Sequence, residues 1–153
     1  MQIISYTDQY KESVIGLITD ILEEELKRHS KSGRPDLYKI SEVYQKGRGN
    51  FWLAVDNNKV VGTIALSDHG GGRGCLRRFY VAKEFRRRGL GGKLLSALLE
   101  FARDNKYKEI LLSTQETWVA ANNFYNKNGF KKVRSIPKGF TSVEGEIFYR
   151  LKL

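Results

Sequence analysis

The sequence predicts a mixed α/β fold, with an antiparallel meander in its first half and a parallel crossover in its second. Two patterns carry that expectation. Three β-type runs between Phe51 and Val81 are joined by short turn-forming segments, which favours antiparallel neighbours. From Leu76 to Ser113 the order is strand, helix, strand, which requires a crossover and a parallel pair. Length adds a third constraint. At 153 residues and 41% hydrophobic content, the chain suits one domain over 1–153 whose core needs neither disulfide nor metal.

Each element follows from local pattern. Residues 2–6 read as a short first strand, and Asp8 is placed to cap the following helix. From Tyr10 to about His29, Val14, Leu17, Ile18, Ile21, Leu22 and Leu26 fall at helical spacing. Residues 30–35 break the pattern, and a second short helix is expected over Asp36–Gln45. Strands are expected at Phe51–Val55, Val60–Leu66 and Leu76–Val81, with Asp56, Asn57 and Asn58 as the first turn and a glycine-rich connection at 68–74. A helix from Leu90 to about Asn105 carries Leu94, Leu95, Leu98, Phe101 and Ala102 on one side. A strand at Glu109–Ser113, a helix at Thr117–Asn128 stopped by Gly129, and strands at Phe130–Val133 and Ile147–Leu151 complete the chain.

Composition removes several functions. Cys75 is the single cysteine, so no internal disulfide forms, and a zinc site would have to rely on Cys75, His29 and His69. No metal is expected. No apolar run reaches the length of a membrane span, and the N-terminus lacks a basic region followed by an apolar one, so the expected location is cytoplasmic with no membrane partner. The formal net charge of +10 favours anionic partners: nucleic acid, phosphorylated cofactors or acidic surfaces.

The most informative segment runs from Phe85 to Leu95. Three glycines within four residues, Gly89, Gly91 and Gly92, oppose helix formation at the start of a helix. Close backbone approach to an anion at a helix N-terminus explains them, and Arg86, Arg87 and Arg88 add charge around it. A Walker A loop is excluded, because Arg87 stands at its first glycine and Leu94 follows Lys93. A dinucleotide fingerprint from Gly89 fails because Leu94 occupies its third glycine position.

Arg86-x-x-Gly89-x-Gly91 resembles the (Q/R)-x-x-G-x-(G/A) pyrophosphate loop of the GNAT superfamily of N-acetyltransferases. Phe79-Tyr80-Val81 resembles the strand end before that loop, and Leu94-Leu95 the start of the family's central helix. Ala121-x-x-x-Tyr125-x-x-x-Gly129-Phe130 resembles its downstream segment, so the similarity spans about residues 76–133. It implies a mostly antiparallel sheet of six or seven strands, splayed where acetyl-CoA binds and flanked by about four helices. It implies acetyl transfer from acetyl-CoA to a primary amine of a small molecule, peptide or protein by direct attack on the thioester. Backbone amides across Arg87, Arg88, Gly89, Leu90, Gly91, Gly92 and Lys93 would wrap the pyrophosphate, with Arg86 beside them. Main-chain groups of Phe79 and Val81 would pair with the pantetheine arm, an N–H near Tyr80 or Val81 would polarise the carbonyl, and Asn122 would contact the cofactor. Tyr125 matches the family's general acid, a catalytic role.

Two positions depart from that pattern. Cys75 stands where many members carry a basic Glu, leaving Asp68, His69 and Glu116 as nearby candidates; Trp118 replaces a frequent Asn. Cys75 lacks a histidine context for nucleophilic chemistry and reads as packing. Arg77 and Arg78 should alternate across their strand, one towards solvent and one towards the covering helices, with the 3′-phosphate of the coenzyme or an acidic substrate as functional alternatives to plain surface charge, an alternative open also to Arg73. By the resemblance, residues 22–48 and 134–146 set the acceptor, and exposed edge strands make a homodimer an expectation. Two rivals stand beside acetyl transfer: a non-catalytic coenzyme-binding protein of the same fold, and a basic nucleic-acid-binding module. The latter draws on Tyr38, Tyr44 and Tyr149 as exposed aromatics but lacks a basic helical stripe, so nucleic acid is not the expected partner.

Overall fold

The computed structural model describes residues 1–25, 27 and 33–153. The strands are β1 (Gln2–Ser5), β2 (Asn50–Asp56), β3 (Lys59–Asp68), β4 (Arg73–Val81), β5 (Glu109–Gln115), β6 (Lys131–Val133) and β7 (Glu146–Lys152). The helices are α1 (Lys11–Asp20), α2 (Ile40–Tyr44), α3 (Leu90–Asp104) and α4 (Val119–Lys127). The strands form one seven-stranded sheet in the order β1-β2-β3-β4-β5-β7-β6. Every neighbouring pair is antiparallel except β4 and β5. The mixed, mostly antiparallel sheet and four helices agree with the fold expected from the sequence.

The meander forms because its turns suit short loops. Asn57 and Asn58 both adopt positive φ, the left-handed pair that a two-residue hairpin requires. β2 is buried along its length, and its side chains alternate between two cores. Trp52 and Ala54 face α3, while Phe51, Leu53 and Val55 face α1 and α2. α3 lies across the sheet through Leu94, Leu95, Leu98 and Ala102, the face its periodicity predicted. α4 ends at Gly129 with φ +88°, and the Phe130 amide donates to the Tyr125 carbonyl to close the turn.

Several expectations are corrected. Asp8 caps no helix: it begins a single 3₁₀ turn, Asp8–Tyr10, and no side chain caps α1. α1 ends at Asp20 and passes into a π-helical turn at Ile21–Glu25. Of the expected helical stretch through His29 and the break at 30–35, residues 26 and 28–32 lie outside the described residues. The second helix is divided into a 3₁₀ turn at Pro35–Tyr38 and α2, because Lys39 leaves helical geometry at φ −138°. β7 inserts between β5 and β6, so the last crossover does not pair β5 with β6 directly.

The largest correction concerns β4. Its register against β3 shifts between Thr63 and Ala65: Thr63 faces Tyr80, but Ala65 faces Arg77. Arg78 and Phe79 therefore oppose Ile64 together, a β-bulge, and Arg78 takes φ +50°. The extra residue cancels the alternation of a regular strand. Arg77 and Arg78 consequently lie on the same side of the sheet, Arg77 over the Tyr44 ring and Arg78 against Asp36. Thr63 Oγ1 donates to the Arg78 carbonyl at 2.7 Å and anchors the bulge.

Candidate active site at the parted seam

β4 and β5 pair only over Arg73↔Glu109, Gly74↔Ile110 and Cys75↔Leu111. Beyond Cys75 the strands diverge, although β4 runs on to Val81 and β5 to Gln115. The gap forms a cavity of about 340 Å³ lined in part by Cys75, Arg77, Tyr80, Thr114, Trp118 and Glu146. Leu22, Arg34 and Arg78 also border it from the α1 side.

The main chain of β4 is oriented towards this gap at two positions. The Ala82 amide donates to the Val61 carbonyl, on the β3 side. Strand alternation then turns Tyr80 towards β3, and Phe79 and Val81 towards the gap. The Val81 carbonyl already accepts from Arg86 Nε at 2.9 Å, which ties the next loop to the end of β4. Of the two amides expected to polarise a carbonyl, Val81 faces the open side.

The loop that follows presents its nitrogens outward. Among the described residues, no hydrogen bond within the protein engages the amides of residues 87–92. The Lys93 amide instead donates to the Gly89 carbonyl at 3.1 Å, closing the first turn of α3. Gly89 has φ +79° and Arg87 φ +61°, the conformations that turn successive amides to one side. Leu90 is buried in the core, so it offers only its amide outward. A Cβ at Gly91 would lie 3.4 Å from the Phe124 ring and 3.5 Å from Phe79, so bulk there meets an aromatic wall. Gly92 is open. Arg88 stacks its guanidinium over Phe85 at 5.5 Å.

α4 carries Tyr125 and Asn122, and neither lines the cavity. The Tyr125 ring packs among Phe79, Phe124, Phe130 and Tyr149, with the Phe130 centroid 5.6 Å away. Burial pushes its phenol far above the ordinary range, and Tyr80 and Cys75 on β4 add to the rise. The hydroxyl therefore keeps its proton at neutral pH. Asn122 Nδ2 donates to the Gln115 and Glu116 carbonyls, stapling the β5–α4 turn, while its Oδ1 is buried without a partner. Thr114 Oγ1 is likewise buried and unsatisfied. Such orphaned polar atoms beside a cavity suit a ligand that brings its own amides, as pantetheine does.

Burial raises the Cys75 thiol to about 11, which keeps it neutral and unreactive. Asp68, His69 and Glu116, the expected basic candidates, do not line the gap. Asp68 Oδ1 accepts from the Gly70 amide in its own turn, and His69 stacks on Phe140 at 4.8 Å. Burial and the charges of Arg77 and Arg73 depress the His69 imidazole. Glu116 is exposed. The carboxylate that does line the gap is Glu146, which sequence reasoning passed over. It starts β7 opposite Gln115, and no local motif announces that register. Also unforeseen is the pair Arg78–Asp36: Arg78 Nε and Nη2 donate to the two carboxylate oxygens at 2.8 and 2.6 Å, and Tyr44 donates to Oδ2 at 2.6 Å. Burial would raise the Asp36 carboxyl, but the hydrogen bonds from Arg78 and Tyr44 outweigh it and hold the group below the usual range. Of the aromatics supporting nucleic-acid binding, Tyr44 and Tyr149 are buried and only Tyr38 is exposed.

The acetyltransferase (GNAT) family model matches residues 16–130, and the chain belongs to that family. It is 35% identical over 126 residues to the N-acetylaspartate synthetase of Xenopus tropicalis, covering 78% of this chain and 46% of that protein. The chain spans about half the length of the curated relatives it matches. Among solved structures, a GNAT-family acetyltransferase from Staphylococcus aureus Mu50 superimposes with a TM-score of 0.92 at 30% identity, covering 99% of this chain and 98% of that one. The PaiA N-acetyltransferase from Thermoplasma acidophilum, solved in complex with coenzyme A, has a TM-score of 0.82 at 18% identity, with 99% and 98% coverage, a likeness of fold. No helix among the described residues is long and apolar enough to cross a membrane.

Proposed function

We propose that this chain is an acetyl-CoA-dependent N-acetyltransferase in which residues 1–153 act as one domain. The observation that carries the reading is the parted β4–β5 seam continuous with a loop of unengaged amides. The residues fit the coenzyme: amides 87–92 with Arg86 to Lys93 around them suit a pyrophosphate, and Phe79 and Val81 offer strand-edge hydrogen bonds to a pseudo-peptide. When bound, acetyl-CoA supplies the activated thioester. The Val81 N–H is the donor for a carbonyl oxygen that gains negative charge. Tyr125 holds its proton until the departing sulfur needs it. Asn122 Oδ1 and Thr114 Oγ1 are the buried acceptors left for amide or hydroxyl donors.

Calorimetry with acetyl-CoA, followed by thiol release in the presence of an amine panel, tests the reading. Micromolar binding with turnover supports it. Binding without turnover on any amine would favour the non-catalytic alternative, and absence of binding would overturn both.

A further inference from the structure

We infer that the acceptor is a zwitterion, an amino acid or a molecule built like one, with its carboxylate held by Arg77 and its ammonium facing Glu146. The inference rests on the acetyl-transfer reading and names the class of acceptor for the same cleft.

The bulge in β4 brings two guanidiniums to one side of the sheet. Arg78 is neutralised by both oxygens of Asp36, and Tyr44 occupies that carboxylate further. Arg34 lies 3.6 Å from Glu23. Arg77 is different. Its guanidinium lies 5.7 Å from the centroid of the Tyr44 ring, and among the described residues no carboxylate comes within ion-pair distance. The half-buried Glu146 has no cation within ion-pair distance among the described residues either. Both border the same cavity of about 340 Å³. Both also act on the Cys75 thiol, Arg77 lowering its pKa and Glu146 raising it, which brings the two charges within electrostatic reach of one point. The buried, unpartnered Thr114 Oγ1 borders the space between β4 and β5.

A cleft that, among the described residues, holds a cation and an anion without ion-pair partners selects by exclusion as well as attraction. A diamine would satisfy Glu146 and set its second charge against Arg77. A plain anion would meet Glu146. A dipolar acceptor answers both, and Arg binds carboxylate in a planar, bidentate manner.

The test measures thiol release at saturating acetyl-CoA with α-, β- and γ-amino acids, their carboxamides and aliphatic diamines. The best acid should exceed its carboxamide in kcat/KM by about 10-fold or more, as expected where a polar group of the site loses its partner. The comparison is biased against the inference, because the carboxamide's amine is the more readily deprotonated. Arg77→Gln should bring the acid-to-carboxamide ratio close to one, and Arg77→Lys should retain part of it. Acetyl-CoA affinity, read by calorimetry on the same variants, reports that the fold persists. Carboxamides or diamines that match the acids, a ratio that survives in Arg77→Gln, or a panel without one acetylated acid would each overturn the inference. Turnover of diamines alone refutes the zwitterion and keeps acetyl transfer; no binding of acetyl-CoA refutes both.

Discussion

Along its β3 edge, β4 is paired from Gly74 to Val81; along its β5 edge, pairing stops at Cys75. The same backbone is thus a core ladder on one side and an open edge on the other. The difference has a local cause. On the β3 side a residue is absorbed as a bulge, held by Thr63 Oγ1 and by Arg78 against Asp36, so pairing resumes at Tyr80. On the β5 side nothing restores register, and beyond Cys75 the edge of β4 has no strand partner. One edge shows how a sheet tolerates an irregularity, and the other how it uses one.

Breaking the anchor of the closed edge should have the largest effect. Asp36→Ala leaves the largely buried Arg78 without its counter-ion and should destabilise the fold by about 3 kcal/mol, read from urea unfolding. The same pair sets an acid limb. Because the Asp36 carboxyl is held below its unfolded value of about 3.9, its contribution is complete above that pH and lost as pH falls through the folded value. Asp36→Asn should flatten that part of the stability profile. At the open edge, Gly91→Leu drives bulk into Phe79 and Phe124 and should weaken acetyl-CoA binding about 100-fold, some 2.7 kcal/mol, by calorimetry. Tyr125→Phe should lower kcat by about 30- to 100-fold with little change in acetyl-CoA affinity; an unchanged rate would remove the tyrosine from the chemistry. The mildest change is Thr63→Val, which deletes one hydrogen bond to the bulge and should cost about 1 kcal/mol of stability. A larger loss of turnover than of stability in that variant would tie the bulge to the open edge.

Much of the fold was readable from local pattern. The β-type runs and short turns in 51–81, the helical stripe of α3 and Gly129 after α4 all act through neighbours within one or two turns, so the chain announces them without context. The loop at 86–92 was readable for the same reason: glycine clustered at a helix start has few other physical explanations. The glycine cluster and Tyr125 stood out in the chain, whereas the charges that line the cavity did not. Asp68, His69 and Glu116 looked suitable by sequence distance, and none of the three lines the cavity. Glu146 stands 71 residues from Cys75 and meets the cleft only because β7 inserts beside β5.

Residue type and spacing were thus enough to specify the strands, the later helices and the glycine-rich turn before α3, since those depend on short-range sterics and periodic burial. Which of two adjacent arginines is neutralised, and which carboxylate faces it, depended on a single extra residue in β4 and on strand order at the far edge of the sheet. Those are properties of long-range pairing: one residue of register reverses the face on which every later side chain lies, and no local window of the chain records it.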